Sequence, residues 1–147
     1  MILLDTTILI YAVGSEHALR EPCRSLISAI ADGRIAGTTT IEVIQEFAHV
    51  RARRRGRADA ARLAGSYATL LGPLQVIDQD DLAAGLDLYA NSTVLGAFDS
   101  ILSAAARRRP HITAIASADR AFGEVVGLSH LDPADPDFAD GFGSRAM

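Results

Sequence analysis

The sequence predicts an α/β domain, with a short, mainly parallel sheet of four or five strands and helices on both faces. Two observations carry this. Short apolar runs, too brief for helices, alternate along the chain with longer segments whose apolar residues recur at helical spacing. The chain also opens on such a run, Ile2-Leu3-Leu4, with a carboxylate, Asp5, directly behind it. In an open α/β sheet, ligands bind outside the carboxyl ends of the strands. An acid at that point faces a crevice.

Taken in order, Ile2 to Leu4 reads as a buried strand and Thr7 to Val13 as a short helix stopped by Gly14. Ser15 is placed to cap a second helix from Glu16 to Asp32, with Leu19, Cys23, Leu26, Ile27 and Ile30 in register and Pro22 in an early turn. Gly33 ends it, and Arg34 to Thr38 reads as a second strand. Thr40 suits the cap of a helix from Ile41 to Arg54, whose arginine-rich end complements the helix dipole. Gly56 separates it from a helix over Arg57 to Leu71, closed by Gly72-Pro73. Leu74 to Ile77 reads as a third strand, and Asp80 as the cap of a helix through Tyr89. Another helix begins near Phe98-Asp99 and runs to Arg109, before Pro110. Ile112 to Ala116 is the fourth expected strand. A short helix with Phe122 and Val125 follows Asp119, and Leu128 to Leu131 is a fifth, edge strand. From Pro133 the chain is rich in Asp, Pro and Gly and reads as a loop-like tail, residues 133–147, behind a domain of residues 1–132.

At 147 residues this is a single domain's worth of chain, and 49% hydrophobic residues exclude disorder. No apolar run reaches the roughly 18 residues of a membrane span. No basic leader precedes the first apolar stretch, which argues against a secretory signal. Cys23 stands alone, so no internal disulfide forms and a reduced, cytoplasmic setting is expected. The net charge of −4 argues against a broadly electropositive nucleic-acid binder. All 14 basic residues are arginine, clustered at positions 51, 53, 54, 55 and 57 and again at 107, 108 and 109. Arginine suits bidentate phosphate contacts, though solvated helix ends would use it equally well.

Four acids are candidates for the crevice. Asp5 follows the first strand, and Asp119 repeats its setting: strand end, carboxylate, helix. Asp99 opens a helix whose small residues allow close packing on the sheet. Glu46 lies beside Ile44 and Phe47 at the border of a buried face, with Glu42 one turn earlier on the same side. Singly, each has a bland reading, as a helix cap for the three aspartates and a solvated surface acid for Glu46. Together they are informative. Two carboxylates about 5 Å apart at an effective dielectric of about 20 repel by roughly 3 kcal/mol. A divalent cation among them offsets that cost, and all-oxygen ligands favour Mg²⁺ or Mn²⁺. Zinc is disfavoured, since His17, His49, His111 and His130 lack ligand spacing.

With these residues in hand, the chain resembles the PIN-domain family, and within it the VapC-type toxins of bacterial toxin–antitoxin pairs. The resemblance rests on Leu4-Asp5-Thr6-Thr7-Ile8-Leu9, Thr40 to Phe47, Phe98 to Ala105, and Ser117 to Phe122, in that order along residues 1–132. It implies a metal-dependent endoribonuclease on a compact α/β/α sandwich. The family's four acids fall on Asp5, Glu46, Asp99 and Asp119, and its hydroxyl before the last acid on Ser117. Where the family often has Asn two residues after the first acid, this chain has Thr7. The resemblance further implies RNA as substrate, a VapB-like antitoxin over the site, and a homodimer. On this reading the four acids hold one or two ions, and Thr6, Thr7 and Ser117 hold carboxylates or water in place. Arg51, Arg53 and Arg54 are expected to contact RNA phosphates.

Two rivals remain. A non-catalytic RNA- or protein-binding module would keep the acids as caps. A phosphoryl-transfer domain of receiver type would want a lysine, which the chain lacks, and one of haloacid-dehalogenase type a second Asp where Thr7 stands.

Overall fold

The computed structural model describes residues 1–142. Its sheet has four parallel strands in the order β2-β1-β3-β4, with β1 at Ile2–Leu4, β2 at Gly37–Thr38, β3 at Ala114–Ala116 and β4 at His130–Leu131. From β1 the chain steps to one side, to β2, then crosses to the other side for β3 and β4. The order therefore reverses between β1 and β3, the place where an α/β sheet opens a crevice. Six α-helices connect the strands: α1 (Thr6–Val13), α2 (Arg20–Ala31), α3 (Ile41–Arg55), α4 (Arg57–Leu70), α5 (Gln79–Asn91) and α6 (Ala97–Arg107). They pack in two groups. One joins α1 to α2 and α3, and α3 to α4; the other pairs α5 with α6, which lies on β3.

Register puts the ends of three strands on one level. Leu4 pairs with Ala116, and the Asp5 amide bonds the Ala116 carbonyl at 2.9 Å. Leu3 pairs with Thr38, and the Thr39 hydroxyl donates to the Leu4 carbonyl at 2.7 Å. Asp5, Thr40 and Ser117 thus leave the sheet side by side. The two central strands, β1 and β3, are apolar and buried on both faces, as a covered parallel sheet requires. In the core, Phe47 of α3 meets Tyr67 of α4 edge-on at 5.1 Å, and the Tyr67 hydroxyl reaches the Leu9 carbonyl of α1 at 3.1 Å. Burial pushes that phenol up to about 12. It pushes the enclosed Cys23 thiol to about 12 as well, which makes Cys23 an inert core residue.

Several elements differ from expectation, each for an identifiable physical reason. The second helix starts at Arg20, and Ser15 does not cap it. Begun at Glu16, it would carry Pro22 beyond its first turn, where the missing N–H removes an interior bond. The second strand shrinks to Gly37–Thr38, because the Arg34 and Ile35 amides turn back to the Ala29 carbonyl, past Gly33 at φ +70°. Leu74 to Ile77 is not a strand. It makes one bridge, Gln75 to Thr40, while Val76 is 66% exposed and its carbonyl is taken by the Arg109 guanidinium at 2.6 Å. The fifth helix is capped by Asp78 rather than Asp80, in a reciprocal box with Asp81.

Asp81 is 1% exposed and accepts Arg109 at 2.8 and 3.0 Å and Arg108 at 2.9 Å. Burial acts to raise its pKa, but the Arg109 and Arg108 guanidinium groups and the Asp78 amide prevail and hold it at about 2. The second arginine cluster therefore contributes an ion pair that ties α5 to α6. Past Pro133, expected as loop, a 3₁₀ turn at Phe138–Gly141 returns to α2, and Phe138 and Phe142 join the core edge-on at 4.9 Å. The rest of the tail, 143–147, lies outside the described residues.

Candidate active site

Asp5 sits where β1 becomes α1. Although it occupies the capping position, its carboxylate makes no capping bond to the helix. It is 4% exposed, and its Oδ2 accepts the Ser117 hydroxyl at 2.7 Å and the Thr7 hydroxyl at 3.0 Å. The Ala118 amide in turn donates to the Thr7 Oγ1 at 2.9 Å, and the Asp119 amide to the Ser117 Oγ at 3.0 Å. His130 Nε2 contacts the Ser117 carbonyl at 2.8 Å and steadies the same turn from β4, a support that sequence spacing did not reveal. Burial raises the Asp5 pKa, opposed by the Ser117 and Thr7 hydroxyls and by the nearby Thr6 and Thr7 amides.

Glu46 comes from the middle of α3, and one of its carboxylate oxygens accepts the Thr6 hydroxyl. Asp99 lies in the first turn of α6, capped by Gly96, so the capping reading does not hold for it. Its carboxyl is pushed up to about 7, first by burial and then by the negative charges of Asp5, Asp119 and Glu46. Asp119 follows β3, stands exposed, and caps the 3₁₀ turn Arg120–Glu124 through the Ala121 amide at 2.9 Å.

Asp5, Asp119 and Glu46 thus all act on Asp99 across the crevice, and no basic group is among the causes acting on it. The donor chemistry, all oxygen and strongly anionic, fits a hard divalent cation. In their present rotamers the acids do not form a closed cage. Among the described residues, no three His, Cys, Asp or Glu side chains are set to hold one ion. Glu46 is turned to Thr6, and Asp119 to its own turn.

Glu42 and Glu46 line one hollow but differ in what they reach. Glu42 is not among the charges acting on Asp99, and it lines a cavity toward α5 and α6. Of the arginines expected near RNA, Arg51 is committed to the fold. Its guanidinium bonds Asp59 of α4 at 2.6 Å and the Val13 carbonyl at 3.1 Å. Arg53 and Arg54 are exposed on the last turns of α3, about 10 Å along the helix axis from Glu46.

The model of the PIN domain matches residues 2–128, a span that contains every acid just described. The chain belongs to the PIN-domain family. Within the family it is 48% identical over 136 residues to Ribonuclease VapC7 of Mycobacterium tuberculosis (strain ATCC 25618 / H37Rv), covering 90% of this chain and 92% of that protein. It is 31% identical over 111 residues to Ribonuclease VapC23 of Mycobacterium tuberculosis (strain CDC 1551 / Oshkosh), covering 74% of this chain and 86% of that one. The four-stranded parallel sheet is the expected PIN architecture, and among the described residues no helix is long and apolar enough to cross a membrane.

Proposed function

We propose that this PIN domain is a divalent-metal-dependent endoribonuclease, hydrolysing RNA phosphodiester bonds as the toxin of a VapBC-like toxin–antitoxin pair. The observation that carries the reading is electrostatic: burial and three neighbouring carboxylates hold Asp99 at about 7. A fold that keeps four acids together at a sheet's reversal point suits a cation better than it suits four independent caps. The two relatives named as VapC ribonucleases support the same reading.

Asp5, Asp99, Glu46 and Asp119 would hold one or two ions, Mg²⁺ or Mn²⁺. When bound, the ion supplies positive charge to the phosphate and acidifies water. The chain's own residues orient the rest. Ser117 and Thr7 fix the Asp5 carboxylate from two sides, and Thr6 holds Glu46. Glu46 or Asp119 positions the attacking water for in-line approach. Arg53 and Arg54 meet RNA phosphates along α3, while Arg51 holds that helix to α4. The reading brings with it a VapB-like antitoxin that covers the site, a homodimer and a cytoplasmic setting.

The test is to incubate the Mg²⁺-loaded protein with total cellular RNA and map new 5′ ends. Specific ends are expected. Asp5→Asn should remove them while its far-ultraviolet dichroism stays that of the parent, and full activity in that variant would refute the metal role of Asp5.

A further inference from the structure

We propose that a cavity between α3, α5 and α6 receives one nucleobase beside the scissile phosphate, and that Glu42 reads the donor groups on that base's edge. The proposal deepens the ribonuclease reading above and rests on it.

The cavity measures about 320 Å³ and is lined mainly by apolar side chains, among them Ile77, Leu82, Phe98 and Ile101. Leu82 is conspicuously exposed for its size, and Phe98 brings an aromatic ring to the wall. Glu42 lines this space, and its Oε2 is buried with no hydrogen-bond partner among the described residues. A carboxylate oxygen kept from water without a donor is unfavourable. The neighbouring polar groups do not relieve it. The Thr40 hydroxyl accepts the Val43 amide, and Asp78 Oδ1 accepts the Asp81 amide. Of the side chains lining this pocket, Glu42 is the one with a buried oxygen left without a partner among the described residues.

Its position relates it to the acids. Glu42 precedes Glu46 by one turn of α3, and Phe98 precedes Asp99 in α6. Glu42 and Phe98 also line the neighbouring hollow that contains Glu46. A strand whose phosphate lies at the four acids would deliver an adjacent base over that shared wall. Unstacked RNA bases are held by aromatic rings and read on their Watson–Crick edges. Guanine suits a carboxylate best, because its N1–H and N2–H₂ groups are parallel donors. Cytosine and adenine each offer one amine. Uracil flanks its single N–H with two carbonyls, which a carboxylate repels.

The test has two arms on the full chain. In metal-free buffer with EDTA, guanosine, cytidine, adenosine and uridine are titrated while the side-chain resonances of Leu82, Phe98 and Ile101 are followed. Guanosine should bind most tightly and uridine least, and Glu42→Ala should weaken guanosine by about tenfold or more. Glu42→Gln, the same shape, should narrow the gap between guanosine and uridine, since an amide donates as well as accepts and no longer repels the uracil carbonyls. In the second arm, 5′ ends from total RNA should show guanine enriched at one position beside the cut in the parent and depleted there in Glu42→Gln. Identical base profiles in both proteins, or no shift of the cavity resonances with any nucleoside, overturn the proposal. So does occupation of the cavity by an arginine-bearing apolar peptide but by no nucleoside. If guanosine binds through Glu42 while no RNA is cut, the pocket stands and the ribonuclease reading falls.

Discussion

Asp99 offers the sharpest quantitative test of the gathered acids. In the metal-free protein its pKa is raised to about 7 against 3.8 in an open chain. Such a difference amounts to about 4 kcal/mol above neutral pH. Asp99 is partly exposed, and solvent screening reduces the figure to about 2 kcal/mol. Because the folded pKa is the raised one, the neutral acid favours the fold. That favour is complete below about pH 4 and is lost as pH rises through about 7. Asp99→Asn keeps the shape and removes the titration. In EDTA it should melt about 6 °C above the parent near pH 8, with most of that gap gone by about pH 5. Adding Mg²⁺ should invert the comparison near pH 8, since the parent gains stability from the ion and the variant has lost a ligand. Melting curves followed by circular dichroism measure both effects. A gap between parent and variant that is equal at the two pH values would show that Asp99 does not feel its three neighbours, and the argument for a shared site would fail.

Other parts of the structure make separate predictions. Ser117→Ala removes the 2.7 Å donor to Asp5, and Mg²⁺ affinity measured by calorimetry should fall about 10- to 100-fold with little change in melting temperature. Asp81→Ala leaves Arg109 and Arg108 without their carboxylate and should cost about 3–5 kcal/mol in urea unfolding. Because Asp81 is held at about 2, the contribution of its ion pairs is present above about pH 4 and should disappear from the parent's stability as pH falls toward 2. Gly85→Ala would bring a Cβ within 2.5 Å of the Ile101 Cα across the α5–α6 contact, and destabilisation of about 1–3 kcal/mol is expected. Arg53→Ala combined with Arg54→Ala should flatten the salt dependence of RNA binding by about one to two charges. Arg51→Ala should instead lower the melting temperature.

Much of the fold was legible because parallel-sheet burial and helix periodicity are properties of short stretches. Ile2 to Leu4 and Ala114 to Ala116 have nothing but apolar side chains to offer, and a strand covered on both faces is the environment that suits them. Apart from element ends and caps, which neighbouring residues decide, the failures fell where a distant partner decided a local matter. Nothing in Leu74 to Ile77 says that an arginine about 30 residues later takes the Val76 carbonyl and leaves the segment out of the sheet. Nothing in the Asp-rich tail says that Phe138 and Phe142 find room against α2. Arg51 and Arg53 are two residues apart and look alike, yet one meets Asp59 and the other faces water.

The acids divide in the same way. Their identity and order, and the strand ends that carry Asp5 and Asp119, are written in the chain. That Asp5 turns from its helix to Ser117, 112 residues away, follows from strand register, which is settled when β1 and β3 pair. That Glu46 rather than Glu42 acts on Asp99 follows from the height along α3 at which α6 brings Asp99, because the two glutamates share a helix face and differ by about 6 Å of rise. Sequence determines which groups are present and which elements carry them. Only tertiary packing decides which way each carboxylate faces, because a turn of helix or one step of register costs the local backbone nothing and is chosen by contacts far along the chain.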